Sequence, residues 1–245
     1  MLQLESQMQE IYSNDPQANI IVNTIGFSRG AAESLDFGNL VQQGVPIPGE
    51  FDANGQSLTY SGDQAPQIGA MVLYDPVASF GIAGNDINLG YELNIPSSAE
   101  HVLEITARDE SRLFFPLTSA VNPNEETNWF YNDGQVVELT MPGVHSDIGG
   151  SYPNPYSYYS LDMGYSFLQQ LGVPLNPLTS PSVGYDNNHK GYDYNVNDYS
   201  QNNMRVHDSS WPIDNALHDL GLHLNRTIYV SPSPNPKLLH PESDH

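Results

Sequence analysis

The feature that most constrains this chain is the join between residues 19–27, NIIVNTIGF, and the SRGAA that follows without a break. A near-continuous apolar, β-branched run reads as a buried parallel strand. Past Ser28, the apolar positions Ala31, Leu35 and Leu40 fall at helical spacing over residues 29–41, with Gly38 weakening the far end. A strand that becomes a helix within one residue needs a sharp turn, and Gly26-Phe27-Ser28-Arg29-Gly30 supplies the G-x-S-x-G pattern of one. Glycines two positions either side of the serine are expected to let neighbouring chain approach without a Cβ clash. A hydroxyl lifted on such a turn is a nucleophile in search of a base. The Arg29 N–H, opening the helix, is placed to face a substrate carbonyl oxygen, where the helix N-terminus adds positive potential. The bland alternative is a tight structural turn that happens to carry a serine.

The rest of the chain repeats the strand-and-crossover theme. Residues 5–14 form a short helical pattern; residues 42–67, rich in Gly, Pro, Gln and Ser, read as a surface excursion. Further strands are expected over 68–80, 101–107 and 135–141, with a helix over SLDMGYSFLQQLG at 160–172. The Pro-, Asn-, Asp- and Tyr-rich sequence from 172 onward reads as long loops wrapping the domain. The expectation is one α/β domain over 1–235, a mostly parallel sheet flanked by helices, with a frayed tail at 236–245.

Charge and composition remove several functions. Twenty-nine acidic residues against 7 basic ones give a net charge of −22, which repels nucleic-acid phosphates and anionic bilayers. No cysteine is present, so disulfides, thiol catalysis and thiolate metal sites are excluded. The N-terminus lacks the basic start and apolar core of a signal peptide, and no run of about 18 apolar residues is present. Cytoplasmic residence or export by a route needing no signal peptide is expected.

Five segments, in order, carry a family resemblance: GFSRGAA at the elbow, VLYDPVASFG, ITARDESRLFFP, PGVHSDIGGSY and VHDSSW, spread over residues 20–211. Together they resemble the DUF2235 α/β-hydrolase family, which includes type VI secretion phospholipases of the Tle1 kind. The resemblance implies an α/β-hydrolase-like fold, no cofactor or metal, and a triad of Ser28 as nucleophile, Asp147 as orienting acid and His207 as general base. It also implies an ester or phospholipid substrate, transient membrane contact, and secretion-system or immunity-protein partners in a bacterial setting. Members of the family usually carry an upstream strand ending in Asp-Gly-Thr. This chain shows no such segment before the elbow, so N-terminal strands and a second oxyanion donor are expected to be missing.

Each partner of Ser28 has competitors. Asp75, just past a strand, is the main alternative acid, and a turn before Pro76 is its plain reading. Asp109 and Glu110 are further acids, with Arg108 and Arg112 near enough to make an ion-pair network instead. Asp147 itself fits an Asx-turn. His218 and His223 compete with His207, and His189 lies in an Asn-rich loop. His145 either lines the site or caps its loop; a His145/Asp147 metal site lacks a spaced ligand set. The aromatic stretch 151–160 and LFF at 113–115 offer lipid contact or plain packing. Asn225-Arg226-Thr227 fits a glycosylation sequon, a pattern common by chance. The rival function is a hydrolase-derived interaction module without catalysis; a peptidase or thioesterase is a third.

Overall fold

A computed structural model describes residues 2–60, 65–79, 90–112, 114–119, 130–131, 135–151, 155–177 and 206–207. The elements are α1 (Leu2–Asn14), β1 (Ile21–Phe27), α2 (Arg29–Gln43), β2 (Pro46–Phe51), β3 (Ser57–Thr59), β4 (Gln67–Tyr74), β5 (Ala99–Ala107), β6 (Phe130–Tyr131), β7 (Val136–Met141), α3 (His145–Ile148) and α4 (Pro155–Gln170). The main sheet is five-stranded in the order β1-β4-β5-β7-β6. β1, β4, β5 and β7 are parallel, and only the two-residue β6 runs antiparallel. This is the expected α/β architecture, with helices covering a mostly parallel sheet.

Each face has its own core. On one, Ala31 and Leu35 of α2 and Met8 of α1 meet Ile68, Met71 and Leu73 of β4 and Val102 of β5. Burying a side chain such as Leu35 completely stabilises the fold by about 1.5–3 kcal/mol. On the other face, Leu168 of α4 meets Ala70, Val72, Leu103, Ile105 and Leu139. The Tyr74 ring runs up to Gly164, where a Cβ would strike its hydroxyl, and burial pushes that phenol's pKa upward.

Several expectations change. Among the described residues the apolar run of β1 has a strand neighbour on one side, β4, and Ile21 is 55% and Ile25 60% exposed. An apolar run reports β-propensity, not which strands flank it. Gly38 does not fray α2; it is buried, and a Cβ there would press on the Pro96 ring at 2.8 Å. Residues 42–67 are not all loop: β2 and β3 form a small antiparallel sheet. It turns on Asp52, whose Oδ1 accepts the N–H groups of Asn54 and Gln56, both at 2.8 Å. α4 starts five residues before the predicted helix, so the end of the aromatic stretch packs as helix, with Tyr158 and Ser160 buried. Leu113, His189, His218, His223, Asn225 and the tail 236–245 lie outside the described residues.

Candidate active site

All four parallel strands end at one rim, and the polar residues singled out in the sequence follow those ends. Ser28 directly follows β1 with φ 59° and ψ −123°. A non-glycine residue held at positive φ stores about 1–3 kcal/mol of strain, which surrounding contacts must offset. Here they are backbone bonds. Ser28 N–H donates to Tyr74 O at 2.9 Å, while Ser28 O accepts from Ala31 N at 3.1 Å and Val77 N at 3.2 Å. The elbow is thereby stitched to the loop that follows β4.

The two glycines of the motif are not equivalent. A Cβ on Gly26 would be driven into the Gly30 carbonyl, whereas a Cβ on Gly30 meets nothing within 4 Å. Only the first is required by close approach, which corrects the symmetrical expectation. Arg29 opens α2, so its N–H is among the first-turn donors that a helix leaves without an internal acceptor.

The Tyr74–Val77 loop carries Asp75, fully buried and also at positive φ, 40°. Its Oδ1 accepts Ala107 N–H at 2.8 Å, and its Oδ2 lies 2.6 Å from His145 Nδ1. The His145 ring sits between two phenyl rings, with centroids 4.5 Å from Phe27 and 5.0 Å from Phe115. Phe27 is the residue before Ser28, so this buried Asp–His pair is packed against the elbow.

A second pair lies beside it. Asp147, fully buried, receives His207 twice: Nδ1 at 2.6 Å from Oδ1, and the backbone N–H at 3.1 Å from Oδ2. The same Oδ2 accepts Val144 N–H at 3.1 Å, so Asp147 braces the turn that begins α3. Ser157 and Ser160 of α4 donate to the carbonyls of Asp147 and Ile148 at 2.7 and 2.6 Å. The Phe27 ring fills the space where a Gly149 side chain would stand, so α3 touches the elbow as well. The His207 side chain is 33% exposed, that of His145 4%.

The expected acid Asp147 and expected base His207 are therefore partners, and the rival acid Asp75 is the partner of His145. Reading the residues one at a time missed that second pairing. The available signal was position: both Asp75 and His145 directly follow parallel strands, so both fall on the rim that holds Ser28. His145 turns its Nδ1 to Asp75, whereas Asp147 holds His207.

Asp109 and Glu110 serve structure. Asp109 accepts Gly143 N–H at 2.8 Å and pairs with the half-exposed Arg108. Glu110 Oε2 accepts His145 N–H at 3.1 Å and Arg112 Nη2 at 2.8 Å, in a pair with both side chains buried. The guanidinium lies 3.6 Å from the Phe115 ring centroid, so the ion-pair network also braces the His145 pocket. Burial alone would raise the Glu110 pKa, but the Arg112 and backbone hydrogen bonds outweigh it and hold the carboxyl below its usual range. A carboxylate whose pKa is lower folded than unfolded stabilises fully above its unfolded value and loses that contribution as pH falls through the folded one. Arg112→Ala is expected to cost about 3–5 kcal/mol, because it strands a buried charge. Urea denaturation from neutral to acid pH checks both: the deficit should shrink as Glu110 protonates.

Farther along the sheet, Ser119 Oγ lies 3.3 Å from Glu104 and 3.2 Å from Glu138, carboxylates paired across β5 and β7. Burial raises the Glu138 pKa, outweighing the hydrogen bond from Ser119 that lowers it. Among the described residues no cluster of three or more metal-ligating side chains is found, and no helix is long and apolar enough to cross a membrane.

Comparison with known proteins places the chain. No curated protein matches it. One similar solved structure is an uncharacterized protein from Pseudomonas aeruginosa, 24% identical, with a TM-score of 0.48 over 71% of this chain and 27% of that one. Another is a Tle1 effector bound to the VgrG spike of the type 6 secretion system, 32% identical, with a TM-score of 0.37 over 56% of this chain and 26% of that one. This chain thus spans about a quarter of the length of either. Residues 42–164, half of the chain and including Asp75, His145 and Asp147, match the family described as T6SS, Phospholipase effector Tle1-like, catalytic domain. The chain belongs to that Tle1-like phospholipase effector family.

Proposed function

We propose that this chain is the catalytic part of a serine lipase or phospholipase that cleaves carboxylic esters, with Ser28 as nucleophile. The observation that carries the reading is the elbow: a serine held at φ 59° between a strand and a helix, beside a buried Asp–His pair. The base is assigned to His145, with Asp75 as its orienting acid. Three contacts support this: the Tyr74 and Val77 bonds to Ser28, and the His145 ring on Phe27. In the reaction, His145 Nε2 accepts the Ser28 hydroxyl proton as Oγ attacks the ester carbonyl. Asp75 holds the proton on Nδ1 and stabilises the imidazolium that forms. The tetrahedral oxyanion turns to the Arg29 N–H. Collapse expels the alcohol, which takes the proton from His145, and water then releases the acid from the acyl-enzyme.

The second reading keeps Ser28 but uses the dyad the resemblance implies, Asp147 as acid and His207 as base. It is favoured by the 2.6 Å bond between them and by a one-third-exposed imidazole open to a substrate. The family's description supports a phospholipid substrate, and the effector solved on the VgrG spike supports a secretion-system partner; a cognate immunity protein and delivery without a signal peptide are proposed from the sequence resemblance alone. A fluorophosphonate probe tests the core claim on the purified chain. Labelling of the parent protein that vanishes in Ser28→Ala is expected. A folded chain that stays unlabelled, or label that survives Ser28→Ala, sinks it.

A further inference from the structure

We infer that Arg112 is a positioning residue of the reaction: through Glu110 and Phe115 it fixes where the His145 imidazole stands. The inference rests on the reading of His145 as the base, and it names what holds that base in place.

An imidazole tied through one nitrogen still pivots about that bond. Asp75 Oδ2 holds His145 Nδ1 at 2.6 Å, which leaves the tilt of the ring and the place of its backbone to other groups. Arg112 reaches both. Its guanidinium forks onto Glu110, with Nε 2.9 Å from Oε1 and Nη2 2.8 Å from Oε2. That same Oε2 accepts His145 N–H at 3.1 Å, so the fork aims the carboxylate that carries the histidine's backbone. The guanidinium also lies 3.6 Å from the Phe115 ring centroid, and that ring stands 5.0 Å from the imidazole. One side chain thus sets the backbone of His145 through one neighbour and leans on its ring through another.

The segment that bears Phe115 is fastened at its far end to the loop of the acid. Thr118 N–H donates to Pro76 O at 2.8 Å, and Thr118 Oγ1 accepts Ala78 N–H at 2.9 Å. Residues 114–119 therefore join the Asp75 loop to the ring that touches His145, and Arg112 ties that joined piece to the start of α3. Asp75 and His145 are held in mutual alignment by contacts additional to their own hydrogen bond. Stability alone gives little reason for such a pair, because a buried ion pair is often no better than an apolar pair of the same volume. Alignment gives one: a misplacement of about 1 Å costs a reaction of this kind about 100-fold. The planar, forked and stacking guanidinium is the one basic side chain able to make both contacts at once.

The test compares Arg112→Lys and Phe115→Leu with the parent chain, each well below its own melting temperature. Lysine keeps the charge beside Glu110 but loses the fork and the stacking. Leucine keeps apolar bulk and leaves the ion pair whole. In both variants kcat on a chromogenic ester is expected to fall about 10–100-fold while KM stays within about twofold, the split of an interaction felt only in the transition state. The Nδ1 proton of His145, identified in NMR spectra by its loss in His145→Gln, should broaden in both variants, and that of His207 should not. Parental kcat in the two variants, a raised KM with kcat kept, or an unchanged His145 proton overturns the inference. His145→Gln run beside them separates the two levels. Parental turnover in that variant sinks the assignment of the base, and this inference with it. Lost turnover there, with parental turnover in Arg112→Lys and Phe115→Leu, sinks this inference alone.

Discussion

Replacing His145 with glutamine is expected to lower ester turnover by about 10⁴-fold or more, while His207→Gln costs far less. The difference follows from where each imidazole is held. His145 has Nδ1 tied to a buried carboxylate at 2.6 Å and its ring against the residue preceding Ser28. That arrangement fixes both tautomer and orientation, two of the properties a base of this kind requires. Asp75→Asn should fall nearly as far, because an amide can donate to Nδ1 and stabilise the wrong tautomer while still accepting Ala107 N–H through its oxygen. Asp147→Asn is expected to act chiefly through stability, since Asp147 braces the turn at Val144 and anchors the backbone of His207. Turnover on a chromogenic ester, measured beside the melting curve of each variant, separates the cases. If His207→Gln and Asp147→Asn lose turnover with unchanged melting while His145→Gln keeps it, the assignment of base reverses.

The second large effect is structural and confined to one glycine. Gly26→Ala is expected to cost about 3 kcal/mol or more, lowering Tm by about 6–12 °C for a domain of this size. The added methyl would meet the carbonyl of Gly30, which is backbone at the start of α2 and has no rotamer to escape into. Gly30→Ala, in the same motif, meets open space and exchanges a poor helix former for the best, a gain of up to about 1 kcal/mol. Thermal unfolding of the two single variants decides the matter. Equal tolerance would mean that the strand-to-helix turn is looser than the geometry of Ser28 requires.

Much of this frame was legible in the sequence because its signals are local. The β-branched run, the helical spacing after Ser28 and the strands at 101–107 and 135–141 each announce themselves within a few residues. What was not legible depends on neighbours. β1 has the composition of an interior strand and pairs, among the described residues, with β4 alone, since composition does not say which strands flank it. β2 and β3 were hidden by Pro46, Pro48 and Gly49, although the Asp52-Ala53-Asn54-Gly55 turn between them was a visible clue. Asp147 with His207 was expected from a resemblance and is found bonded. Asp75 with His145 spans 70 positions and three intervening strands, β5, β6 and β7, and became visible only when sheet order placed both on one rim.

That rim has a counterpart. The parallel strands begin at Ile21, Gln67, Ala99 and Val136, on the side away from Ser28, Asp75 and His145. Lineages of such proteins can therefore exchange, lengthen or decorate the turns at the starting margin while the reactive margin stays registered, and can remodel substrate preference without renegotiating the scaffold. For protein engineers the same division makes the starting margin the place for a tether or affinity handle.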